Sequence, residues 1–109
     1  MLSKEASFEL VEGMKNVFGD QLLSVVLYGS VARGDDTPES DVDIALFLKE
    51  PLRRELIDPM IAVLDDLNWK YDKVFSAVDI DQSLYNQWVE YLPYYQNIRK
   101  EGIVLWKAA

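Results

Sequence analysis

The chain has 109 residues, half of them apolar and 12% aromatic, with 19 acidic against 11 basic side chains and a formal charge of −8. That length accommodates one core and one domain, here taken as 1–109, and the acidity disfavours binding along a phosphate backbone, which needs a basic face. With neither histidine nor cysteine, the chain alone makes no Ser-His-Asp or Cys-His centre and no thiolate or imidazole zinc site.

No apolar run reaches the roughly 20 residues that span a bilayer, and the N-terminus lacks the basic start and apolar stretch of a signal peptide, so a cytoplasmic protein is expected. Residues 3–18 read as a helix capped by Ser3 and stopped by Gly19, with Phe8, Val11, Met14, Val17 and Phe18 along one face. The nearly all-apolar run 21–29 reads as a strand covered on both sides. A polar loop leads to a second strand over 41–49. Residues 52–69 are helical in pattern, opened near Pro51 and kinked or divided by Pro59. A third strand is expected over 71–80, then a helix over 81–92 with an Asp81 cap, closed by Pro93. The tail 98–106 ends in a short strand after Gly102. The order argues for an α/β domain, a small mixed sheet with helices packed on it.

Chemistry concentrates in "LYGSVARGDDTPESDVDIALF", residues 27–47. Strand periodicity sends Asp41 and Asp43 to one face, about 6–7 Å apart, while Val42, Ile44, Leu46 and Leu48 point to the core. Two such carboxylates repel unless a cation lies between them, and Mg²⁺ fits, completing its shell with substrate phosphate oxygens. Gly29 lets the backbone approach a phosphate, Ser30 opens a helical turn whose free N–H groups face an anion, and Arg33 adds a charge-assisted contact. Chance alone assembles Gly, Ser, Asp and Asp at these spacings in about one chain of this length in five hundred.

Gly29-Ser30, ten residues, then Asp41-Val42-Asp43 resembles the signature of the minimal nucleotidyltransferases, small members of the DNA-polymerase-β-like superfamily. The resemblance implies that Gly29 and Ser30 hold ATP phosphates, that Asp41 and Asp43 ligate one or two Mg²⁺ ions, and that AMP passes to a hydroxyl. It also implies an antitoxin whose partner is a HEPN-type ribonuclease toxin, modified on a tyrosine. The superfamily usually offers a third carboxylate on another strand, with Asp72 and Asp79 as candidates. A strand–helix–strand crossover makes a parallel pair, so strand starts share one end. That favours Asp72 as the third catalytic and metal-binding carboxylate, since Asp79 lies about 23 Å further along an extended chain.

Arg53 and Arg54 read as solvated surface, and Asp35-Asp36 as a solvated turn. Tyr85, Trp88, Tyr91, Tyr94 and Tyr95 read as core packing, with a partner or homo-oligomer contact as the alternative. Two other functions remain open at this stage: a nucleotidyltransferase for a small-molecule acceptor such as an antibiotic, and a non-catalytic antitoxin that neutralises by binding.

Overall fold

The computed structural model describes residues 2–109. Helix α1 (Lys4–Phe18) forms between the signals expected of it. The Ser3 hydroxyl accepts the Ala6 N–H at 3.1 Å, and Gly19, at φ 55°, donates its N–H to the Lys15 carbonyl. Its buried face is Ala6, Leu10, Val11, Met14 and Phe18. Phe8 was expected on that face but is 66% exposed, because at 100° per residue it lies nearly opposite the Ala6–Leu10 stripe.

Strand β1 (Leu22–Tyr28) runs directly into the short helix α2 (Gly29–Arg33), and β2 (Val42–Leu48) returns antiparallel to β1. A single 3-10 turn at residues 54–56 precedes α3 (Ile57–Tyr71), so the helix begins later than Pro51 suggests. Pro59 falls in the first turn of α3, where a missing N–H loses no intrahelical bond. The chain does not divide there. Strand β3 (Phe75–Asp81) pairs parallel to β2, as the crossover rule requires.

Helix α4 (Gln82–Trp88) starts from the Asp81 carboxylate, which accepts the Ser83 N–H at 2.9 Å and the Leu84 N–H at 3.4 Å. Pro93 does not close a helix. It occupies the first turn of α5 (Pro93–Glu101), a helix absent from the sequence expectation, and β4 (Ile103–Lys107) follows. The sheet order is β3-β2-β1-β4, with only β2–β3 parallel.

The two sheet faces are covered differently. On one, Val42, Ile44, Leu46 and Leu48 pack with α1, Leu64 and Leu67 of α3, and Phe75. Leu10, Met14, Ile44 and Leu46 are fully buried, each contributing about 1.5–3 kcal/mol of apolar transfer. On the other, Val26, Ala45, Phe47 and Ile80 pack with Ile98 of α5 and the rings of Tyr85 and Tyr95. Tyr85 meets Phe47 edge-to-face at 4.9 Å. This second layer is thin, and its helix α5 reaches the Gly29 end of the sheet through Tyr94 and Glu101, which meet Tyr28 and Arg33.

Candidate active site

Gly29 ends β1 at φ 79°, in the left-handed region that L side chains rarely adopt, and a Cβ built there would overlap the Asp43 carboxylate. Glycine is therefore required twice at this point, by its torsion and by the close approach of the aspartate. The α2 turn ends at Gly34, which shares φ 79° and donates its N–H to the Ser30 and Val31 carbonyls. The loop then folds back through Thr37, whose N–H donates to the Ser40 hydroxyl at 2.9 Å, and delivers Asp41 to the mouth of β2.

Asp43 lies on the thinly covered face with Ala45 and Phe47, opposite Tyr28 in the β1–β2 register. Asp41 is exposed one step before the strand. Burial raises the pKa of Asp43, the Asp41 charge raises it further, and the Arg33 guanidinium opposes both. A like charge that leaves a carboxylate reluctant to ionise is the electrostatic signature of a pair that a cation would relieve. Two oxygen-donor side chains beside a glycine with no side chain of its own suit a hard divalent ion that shares its shell with phosphate.

Arg33 is engaged elsewhere. Its side chain donates to Glu101 at 2.9 Å and to Asp35 at 3.3 Å, and those two carboxylates raise its pKa. Asp35, expected to be merely solvated, is thus half of an exposed ion pair. Arg53 lies 4.0 Å from Glu55 on the surface, as expected of a solvated side chain.

Neither candidate for the third carboxylate joins the pair. The strand expected over 71–80 starts only at Phe75, because α3 continues through Tyr71 and Asp72 caps it in the left-handed conformation at φ 52°, ψ 46°. Asp72 is therefore an exposed helix cap rather than a strand-start residue. Asp79 is in register with Leu46, on the α1–α3 side of the sheet, opposite to Asp43. The β3 residue beside Asp43 is Ser76, a hydroxyl where a carboxylate was sought. Among the described residues no three carboxylates converge on a common ion position.

Sequence reasoning missed two tyrosines at the site. Tyr28 immediately precedes Gly29, and its hydroxyl lies 3.2 Å from that of Tyr94, the second residue of α5, with the rings edge-to-face at 6.4 Å. Burial pushes the Tyr28 phenol well above its usual range, with the Tyr94 contact and the Asp43 charge adding to the shift. The signal for Tyr28 was its place next to Gly29. Tyr94 reads in the sequence only as one of five clustered aromatic residues, expected in the core or at a partner contact, and nothing there places it beside Tyr28.

The nucleotidyltransferase domain family matches residues 9–95. A Methanocaldococcus jannaschii protein, provisionally named a protein adenylyltransferase, is 30% identical over 106 residues, covering 97% of this chain and all of the relative. A second protein of that organism with the same provisional name is 28% identical over 82 residues, covering 75% of this chain and 83% of its own. A crystal structure of a toxin–antitoxin complex with AMP-PNP superposes with a TM-score of 0.65 at 19% identity, covering 94% of this chain and 73% of that one. The complex of a tri-AMPylated Shewanella oneidensis HEPN toxin with its MNT antitoxin gives 0.61 at 16% identity, covering 98% and 74%. At these identities the two structures establish a shared fold.

Proposed function

The chain belongs to the nucleotidyltransferase domain family, and from that premise we propose that it transfers AMP from ATP to a tyrosine hydroxyl of a HEPN-type partner protein, acting as the antitoxin of that pair in the cytoplasm. The observation that carries this reading is the seating of the Asp43 carboxylate against the Cα of Gly29, with Asp41 beside it. In this reading Asp41 and Asp43 hold Mg²⁺, as one ion or two. Gly29 and Ser30 present backbone to the triphosphate, and Arg33 exchanges Glu101 or Asp35 for a phosphate oxygen. When bound, Mg²⁺ neutralises charge at the α-phosphate and on the departing pyrophosphate. The whole domain, 1–109, serves as one catalytic unit.

A protein acceptor is supported by the surface beside the site. Trp88, Tyr91 and Tyr94 are 42–73% exposed, Tyr94 meets Tyr28 at the end of β1, and aromatic residues of this kind are enriched at interfaces. The charge of −8 suits a basic partner. The serine beside Asp43, where a carboxylate was sought, favours a second reading: an antitoxin that neutralises by contact alone.

Label transfer from α-labelled ATP with Mg²⁺ to a HEPN protein encoded alongside the chain separates the two readings. Label on the partner that disappears with an Asp41→Ala, Asp43→Ala variant supports the enzyme. Neutralisation by that variant without any transfer supports contact alone.

A further inference from the structure

We propose that the chain modifies itself, with the Tyr94 hydroxyl accepting AMP at its own active site. The inference rests on the nucleotidyltransferase reading above and adds to it an intramolecular acceptor. Three placements carry it. Tyr28 is the β1 residue opposite Asp43 in the register, which puts the two side chains next to each other on one face. The Tyr28 hydroxyl meets the Tyr94 hydroxyl at 3.2 Å, so Tyr94 Oη lies one tyrosine length from the strand position that faces Asp43. Tyr94 is 47% exposed, and Pro93 in the first turn of α5 fixes the backbone that presents it.

The other tyrosines of the segment are placed differently. The Tyr85 and Tyr95 rings pack against the core that contains Phe47 and Ile98. Tyr91 leans on Trp88 at 6.2 Å. Tyr28 itself is half-buried in the strand. Tyr94 alone combines an exposed phenol with a contact to the site.

In the step, Tyr94 Oη attacks the α-phosphorus of ATP. A phosphorus–oxygen bond forms to the phenol oxygen, and the bond from the α-phosphorus to the bridging oxygen breaks. Pyrophosphate departs with that bonding pair, and the phenolic proton passes to water. The products are an AMP phosphodiester on Tyr94 and pyrophosphate, with no oxidant or reductant needed. Tyr94 must first leave its hydrogen bond with Tyr28, an exchange that the ring's exposure allows.

The test uses the full chain alone, incubated with ATP and Mg²⁺ and followed by intact mass and peptide mapping. The expected result is a gain of one AMP, mapped to Tyr94, at a fractional rate independent of protein concentration. Asp43→Ala should abolish it, as should Tyr94→Phe that circular dichroism shows to be folded. A reading without turnover is the Tyr94 ring resonances, which should shift when α,β-methylene-ATP and Mg²⁺ are added. An adduct on another residue, or one that persists in Asp43→Ala, overturns the inference. No adduct on the chain while the HEPN partner becomes labelled overturns it and leaves the proposed function standing. No adduct on either protein overturns both.

Discussion

Replacing Gly29 and Gly34 separately by alanine isolates the contact on which the site is built. Both glycines have φ 79°, but a Cβ at Gly34 meets nothing within 4 Å, whereas one at Gly29 runs into the Asp43 carboxylate. Gly34→Ala therefore bears the left-handed backbone penalty alone, about 1–2 kcal/mol. Gly29→Ala bears the same penalty and must also drive Asp43 off its rotamer, about 0.5–1.5 kcal/mol more. For a domain of this size those figures correspond to a fall in Tm of about 5–10 °C for Gly34→Ala and about 10–20 °C for Gly29→Ala. Urea unfolding followed by circular dichroism measures both, and Asp43→Ala completes a double-mutant cycle. Gly29→Ala should cost less in the Asp43→Ala background, by a coupling of about 0.5–1.5 kcal/mol, whereas Gly34→Ala should be additive with it. Equal losses for the two glycines, or additivity at Gly29, would refute the claim that Asp43 is seated against this backbone.

Asp43→Asn should stabilise the metal-free chain at neutral pH. Its folded pKa is raised, so ionisation opposes folding, and the penalty is fully present above the folded pKa and disappears as pH falls below the unfolded value. Thermal melts with a chelator should thus show the difference from wild type shrinking towards pH 4. Glu101→Gln releases Arg33 from its 2.9 Å partner and should tighten ATP binding several-fold in titration calorimetry. Because the pair is exposed, stability should change by less than about 1 kcal/mol. Trp88→Ser and Tyr91→Ser remove exposed rings, so melting should move little, while affinity for a HEPN partner should fall at least tenfold in a surface-capture assay.

The Asp41–Asp43 spacing, the Gly29-Ser30 turn and the parallel β2–β3 pair were legible because each follows from local rules: strand period, the conformational freedom of glycine and the parallel pairing that a strand–helix–strand crossover imposes. Helix α1 was legible from its caps, but not its exact face, since Ala6 and Leu10 set the buried stripe and Phe8 lies opposite it. The third-carboxylate expectation failed on one boundary. Asp72 takes a left-handed helix cap, so the strand starts four residues later than expected, and the register then places Ser76, not an aspartate, beside Asp43. Helix α5 was hidden because Pro93 serves equally as a stop and as a first-turn residue, and only packing by Ile98 decides between them. The tyrosine contact was beyond reach for a plainer reason: its partners are 66 positions apart, and no local pattern links them.

The placement of β4 beside β1 bears on how the chain is made. Translation yields β1, β2 and β3 in that order, so β2 and β3 can zip together early, yet the outer edge of β1 waits for β4, which is made after all three. At about 5–20 residues per second that wait lasts several seconds on the ribosome. Throughout it, the backbone of a largely apolar strand is open to pairing with a neighbouring nascent chain. The Arg33–Glu101 and Tyr28–Tyr94 links close late as well, since each draws one member from α5. A nascent chain stalled before α5 therefore has the Gly29–Asp43 hairpin with Arg33 untethered and the Tyr28 hydroxyl without its partner, so the surround of the site is completed only once α5 has been made.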